Sequence, residues 1–290
     1  MNSQSLIREH YSRVDVQKEI AAFCVGRWVA VHCINEKGEL IFRRYFKGKP
    51  LAVSGTADLQ ELLKKMNFQV RTIYASANKY RSVNTVEDVY TPANVVRCTP
   101  TWDIDSTLRN WQKTIDVVKQ IVAFLESEGV KDSVYVKWSG NGCHVHIHEE
   151  AISEKALSRA HPLDLAYATV EYVNINVLPK IYGNINAETV RVENRMDAGR
   201  VFTCPLSLHR ELDAVCICLK PNDLENFSPE WIKPSNFKHN LAWRNFQKGE
   251  ADALALKAHE IIGGYPSVSR RKRPKSERLD QLINKWLQKS

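Results

Sequence analysis

The chain has 290 residues, 43% hydrophobic and 26% charged. This is a globular composition with enough apolar surface for a sizeable core, and it excludes wholesale disorder and a disulfide-stapled miniprotein. Forty-one Lys and Arg against thirty-three Asp and Glu leave a formal charge of +8, so the summed field attracts polyanions, and nucleic acid is the leading partner on charge alone. No run approaches the ~18 apolar residues of a membrane span, and the first twenty residues lack the apolar core of a signal peptide. The seven cysteines are scattered, with no CxxC pair. The expectation is an intracellular protein with no membrane partner, no disulfide framework and no structural zinc.

In chain order, alternating or continuous apolar residues predict strands in the runs 23–34, 40–46, 70–76, 94–105, 133–139, 143–148, 189–194, 200–206 and 214–219. Helical spacing predicts helices over 58–66, over 108–129 with Gly129 as C-cap, over 153–181 and over 241–262. Strands and helices mix without a strict βαβ rhythm. That points to a mixed α/β (α+β) domain and away from a Rossmann or barrel repeat. The composition changes over 263–277, a Gly/Pro/Ser stretch carrying the basic run RRKRPK. A folded body over 1–264 and a tail over 265–290 follow, with Leu279, Leu282, Ile283, Trp286 and Leu287 at helical spacing in the tail.

The strongest local feature is Trp102-Asp103-Ile104-Asp105, two carboxylates in a strand-like run. Residues i and i+2 of a strand share a face, ~6.5 to 7 Å apart at Cα, so Asp103 and Asp105 can converge on one metal pair. Carboxylate oxygens suit Mg²⁺ or Mn²⁺, and two such ions clamp the attacking and leaving oxygens of a phosphoryl displacement. The next motif is Ser139-Gly140-Asn141-Gly142-Cys143-His144. Its glycines allow close backbone approach to an anion, and Ser139 and His144 can donate to phosphate oxygens. A plain hairpin is the bland alternative. His144, His146 and His148 alternate along one strand face, which leaves open a transition-metal site and a metal-dependent nuclease or hydrolase. A third motif, Cys204-Pro205-Leu206-Ser207-Leu208-His209-Arg210, follows Glu193 and Asp197. Either acid would complete a carboxylate cage, and His209 and Arg210 can hold a triphosphate.

The ordered set WDID, SGNGCH and PLSLH resembles the three motifs of the archaeal-eukaryotic primase superfamily, which includes primase small subunits and the polymerase domain of bacterial end-joining ligases. Upstream, FRRYF and DLQELLKKMNFQVRTIYAS resemble the segment that precedes the DxD strand of primase small subunits, so the likeness spans roughly residues 40 to 220. The resemblance implies a primase-polymerase catalytic domain with an RRM-like sheet in its second half. It also implies a two-metal DNA-directed polymerase extending primers from ribo- or deoxynucleoside triphosphates. On that likeness Asp103, Asp105 and Glu193 are metal ligands. Ser139, Gly140, Asn141 and His144 belong to the nucleotide site, together with Ser207, His209 and, more loosely, Arg210. Asp197 matches only a second acidic position beside Glu193.

Residues 106–138 hold no cysteine, where replicative primase small subunits carry a zinc insert. Gap filling or end joining is therefore favoured over replicative priming. The implied partners are a DNA template and primer, and an end-joining ligase or a Ku-like protein; the implied compartment is cytoplasmic and nucleoid-associated, or nuclear in a eukaryote. A catalytically inert binding module is disfavoured, because uncompensated carboxylates would repel the phosphate backbone.

Overall fold

A computed structural model describes residues 3–266; the basic run and the amphipathic segment of the tail lie outside the described residues. Two helices that the apolar pattern did not announce open the fold, α1 (Ser3–Ser12) and α2 (Val14–Cys24). The strand expected from residue 23 begins only at Arg27, because Phe23 and Cys24 complete the buried stripe of α2 with Val16 and Ile20.

The first half continues through β1 (Arg27–Ile34), β2 (Leu40–Arg43), β3 (Tyr45–Phe46), β4 (Lys49–Pro50), α3 (Thr56–Lys65), β5 (Val70–Tyr80), α4 (Val86–Tyr90) and β6 (Val95–Cys98). The second half holds β7 (Thr101–Asp105), α5 (Trp111–Ser127), β8 (Val134–Trp138), β9 (Cys143–Ile147), α6 (Glu154–Leu157), α7 (Pro162–Tyr182), β10 (Arg191–Glu193), β11 (Val201–Thr203), β12 (Ile217–Leu219) and α8 (Asp252–Ile262).

Ten of these strands form two antiparallel five-stranded sheets, and β3 pairs with β4 in a separate two-stranded ribbon. The first has the order β11-β5-β1-β2, with β6 also pairing to the long β5. The second has the order β10-β7-β9-β8-β12. Its first four strands follow the path β7-α5-β8-β9-α7-β10, the split βαβ arrangement of an RRM-like sheet. The chain is thus α/β, as its pattern of elements indicates.

Strand alternation sorts the second sheet into two faces. Trp102, Ile104, Val145, Val136 and Trp138 are completely or almost completely buried on the side covered by α5 and α7, whose own apolar stripes include Val118, Ile121, Leu165 and Val173. The alternate positions carry Asp103, Asp105, His144 and Lys137. The first face is apolar throughout, whereas the second, although also largely buried, carries the polar and charged side chains.

Four expected elements divide, the first being the run 40–46, which separates into β2 and β3 at Arg44. The run 94–105 breaks at Thr99-Pro100, since proline has no N–H for a ladder; β6 pairs in the first sheet and β7 in the second. The run 153–181 becomes α6 and α7, the latter started by Pro162 at its first turn. The helix expected over 241–262 is a 3-10 turn at Leu241–Arg244 and then α8, with Gly249 (φ 82) between them.

Candidate active site

Register assembles the charged face. Asp103 on β7 stands opposite His144 on β9 and opposite Glu193 on β10. His144 is in turn opposite Lys137 on β8, and Lys137 is opposite Cys218 on β12. Directly opposed residues of antiparallel strands project from the same face. Glu193, Asp103, His144, Lys137 and Cys218 consequently make one row across all five strands. Asp105 lies two positions along β7, opposite Arg191.

The three carboxylates at the end of this row share one guanidinium. Arg195 Nε donates to Glu193 Oε2 at 2.5 Å and lies 3.5 Å from Asp103 Oδ2, while its Nη2 donates to Asp105 Oδ2 at 2.9 Å. Arg200 makes a short contact to Asp103 Oδ2, and Arg191 pairs with Glu193 Oε1 at 2.5 Å. His144 Nε2 donates to Asp103 Oδ1 at 3.2 Å. Burial alone would raise the Asp103 carboxyl, but the His144 hydrogen bond and the charges of Arg200 and Arg195 outweigh it and hold the group down at about 2. Asp103 is therefore ionised throughout the neutral range.

Beside the carboxylates opens a cleft of about 400 Å³ lined by Ser139, Asn141, His144, Arg195, Arg200, His209 and Arg210, with Tyr74 and Phe202 as its aromatic wall. The turn between β8 and β9 builds one side. A Cβ at residue 140 would stand 2.5 Å from Cδ2 of His209, and one at residue 142 would stand 2.2 Å from the carbonyl oxygen of Ile104. Both glycines therefore serve close packing within the chain, where the sequence suggested close approach to an anion.

His209 is fixed in one tautomer. Its Nδ1 accepts the backbone N–H groups of Glu211 at 3.1 Å and Leu212 at 2.9 Å, so Nε2 carries the proton. Burial, helped by Arg210, depresses its pKa to about 4. The ring is thus a neutral N–H donor on the cleft wall. Its loop is braced from beneath by Arg71, which donates to the carbonyls of His209 (2.9 Å) and Leu212 (2.6 Å) and pairs with Asp213 at 2.8 Å.

Several expected site residues lie elsewhere. Ser207 is fully buried, its Oγ accepting the Ile73 N–H at 2.8 Å and meeting Tyr11 Oη at 3.2 Å. It anchors the turn to β5 and α1 and does not reach the cleft. Asp197 is not among the carboxylates that meet Arg195, because its Oδ1 caps the Gly199 N–H at 2.7 Å in the loop after β10.

The three alternating histidines also part company. His146 stacks on Tyr135 with its Nδ1 on Thr101 Oγ1 at 2.8 Å, and His148 stacks on Phe246 with its Nδ1 accepting from Glu150 N–H. Among the described residues no group of three or more His, Cys, Asp or Glu side chains is placed to hold a metal as it stands. A three-histidine centre has no support in this packing. At the carboxylates the cations present are Arg191, Arg195 and Arg200, of which Arg195 alone reaches all three acids.

The sequence reading missed Arg195, Arg200, Arg71, Tyr74 and Lys137. Arg195 was legible in principle, since Arg191, Glu193 and Arg195 alternate in the strand-like run before the third motif. Lys137 was hidden by its surroundings. It is fully buried, with Nζ donating to the Thr203 carbonyl at 2.9 Å and lying 4.3 Å from the Phe23 ring centre, and burial lowers its pKa.

No protein-family model matches the chain, and no curated protein sequence does. Among solved structures, it is similar to the polymerase domain of Mycobacterium tuberculosis Ligase D in complex with DNA. The TM-score is 0.55, the identity is 12%, and the match covers 90% of each chain. That likeness establishes a shared fold over nearly the whole length. Among the described residues no helix is long and apolar enough to cross a membrane.

Proposed function

We propose that this chain is a template-directed nucleotidyltransferase of the primase-polymerase type, which extends a DNA or RNA primer from nucleoside triphosphates during gap filling or end joining. The observation that carries the reading is the meeting of Asp103, Asp105 and Glu193 around a single guanidinium, beside a cleft walled by neutral and cationic donors. A fold shared with a polymerase domain solved with DNA supports it, as does the order of the three motifs.

The donor set fits a divalent cation. Three carboxylates supply hard oxygen ligands, and they already gather around a positive charge. Asp103, Asp105 and Glu193 would hold Mg²⁺ or Mn²⁺ once the arginines paired with them, Arg191, Arg195 and Arg200, withdraw. Such ions would activate the primer 3′-hydroxyl and neutralise charge on the reacting phosphate. In the reaction, that hydroxyl gives up its proton to solvent, its oxygen forms a bond to the α-phosphorus, and the bond to pyrophosphate breaks.

The rest of the work falls to this chain's side chains. His209 donates its Nε2–H to a triphosphate oxygen, since the backbone N–H groups on Nδ1 fix the tautomer and burial keeps the ring neutral. Arg210 adds a charge at the cleft mouth, and Ser139 and Asn141 supply further donors. His144 holds Asp103 in position through Nε2.

Primer extension on gapped and single-stranded templates, with both nucleotide types and with Mg²⁺ or Mn²⁺, tests the reading. The Asp103→Ala, Asp105→Ala double variant should lose nucleotide addition while keeping DNA affinity. Full extension by that variant would overturn the proposal.

A further inference from the structure

The first helix buries polar atoms where packing alone would not require them. Among the described side chains of α1 only Ile7, His10 and Tyr11 are buried, at spacing i, i+3 and i+4 on one face. Apolar groups would serve packing there, since a buried polar atom must find a partner to offset its lost water. Both polar groups find partners on the third motif. His10 Nε2 donates to the Leu206 carbonyl at 2.7 Å. Tyr11 Oη accepts the Leu208 N–H at 3.1 Å, meets Ser207 Oγ at 3.2 Å and donates to the Arg71 carbonyl at 2.8 Å.

The segment they hold is a hairpin whose own ladder fixes its shape. The N–H groups of Leu206, Cys216 and His209 donate to the carbonyls of Cys216, Ser207 and Ala214. Those bonds do not set where the hairpin stands against the cleft. Bonds to other elements do: the Ile73 N–H on Ser207 Oγ, the Arg71 guanidinium on the carbonyls of His209 and Leu212, and the two side chains of α1. Leu206 takes φ 59, a left-handed conformation that is costly for a bulky side chain and persists only where neighbouring contacts over-determine it. Tyr11 is central among those contacts. Its hydroxyl touches the residue before His209 and also the backbone of Arg71, whose guanidinium holds the His209 carbonyl.

We propose that His10 and Tyr11 are positioning residues for the triphosphate subsite: neither lines the cleft, and they act by setting the place of His209 within it. That the ligand is a triphosphate rests on the nucleotidyltransferase reading; the placement of the ring does not.

Titration of the whole chain with ATP and with dATP tests this. Tyr11→Phe keeps the ring and removes the hydroxyl, and it should weaken triphosphate binding about two- to tenfold, the worth of one hydrogen bond. In a His209→Ala background the same change should cost nothing further, because Tyr11 acts through that imidazole. An equal loss in both backgrounds is what a purely structural role produces, and it overturns the proposal. His10→Leu should behave as Tyr11→Phe does, and His10→Gln, which can still donate to the Leu206 carbonyl, should recover the affinity. A second readout needs no nucleotide. Gly140 stands so close to Cδ2 of His209 that the Gly140 Hα and His209 Hδ2 protons should show a strong nuclear Overhauser effect. Tyr11→Phe should weaken it, and an unchanged effect in the folded variant overturns the proposal. If the parent chain binds no triphosphate, the enzymatic reading falls, and the Overhauser effect still decides whether α1 places the ring.

Discussion

Gly140 and His209 touch so closely that a Cβ at residue 140 would stand 2.5 Å from Cδ2 and 3.1 Å from Nε2 of the imidazole. Residue 140 also adopts φ 139, a conformation that L side chains rarely take. Gly140→Ala should therefore push the ring off the cleft wall while the buried strands on either side hold. If His209 donates to a triphosphate, this variant and His209→Ala should both weaken nucleotide binding by about ten- to a hundredfold, the worth of one hydrogen bond to a charged group. Nucleotide titration decides it, and a normal affinity in Gly140→Ala would remove His209 from the nucleotide site.

Glu193 and Asp197 are four residues apart and chemically similar, yet only Glu193 stands across from Asp103. Glu193→Gln should abolish nucleotide addition. Asp197→Asn should retain most of it, because an amide oxygen can still accept the Gly199 N–H. Extension assays on the two single variants would show a reversed order if the loop acid were the ligand.

Stability should depend heavily on one ion pair remote from the cleft. Arg27 and Glu149 meet at 2.7 Å, with 2% and 6% of their side chains exposed, and Arg27 also donates to the Ser76 and Ala77 carbonyls and to Thr99. Removing Glu149 strands a buried cation, so Glu149→Gln should cost about 3–5 kcal/mol in urea unfolding. Replacing both partners, Arg27→Met with Glu149→Leu, should recover much of that stability.

Acid sensitivity should set in before the carboxylates titrate. His10 and His209 are both depressed to about 4, chiefly by burial, and His32, His144, His146 and His148 are also lowered by burial. Between that range and the ordinary histidine value of about 6.5 the unfolded chain binds more protons than the folded one, so stability falls as pH drops from 6.5 toward 4. Asp103, held at about 2, keeps its charge through this window. Melting temperatures from pH 7 to 5 should decline, and His10→Gln, which can still donate to the Leu206 carbonyl, should flatten the decline by one proton's share. A slope unchanged by that variant would show that His10 does not contribute.

Much of this arrangement was legible without coordinates. Period-two alternation put Asp103 and Asp105 on one face and Trp102 and Ile104 on the other, because a pleated strand permits no other choice. Helical spacing located α3 and α5, and the mixture of elements indicated an α/β domain. The first two helices escaped notice because α1 is mostly polar and the apolar end of α2 runs into β1, so the pattern reads as one long strand.

What the sequence alone determined was the local chemistry: which side chains share a strand face, where proline halts a ladder, and which acids and histidines stand in motif order. Tertiary structure decided their employment. Pairing register, which no single strand encodes, set Glu193 and His144 on either side of Asp103 and left Asp197 in a loop. Packing between sheets buried Ser207 under Tyr11 and Ile73 and turned His146 and His148 into stacked core rings. It also brought Arg195 and Arg200 from the loop after β10 onto the carboxylates. Local pattern governs the direction in which a side chain leaves the backbone, whereas its partners are chosen by long-range contacts among elements far apart in the chain.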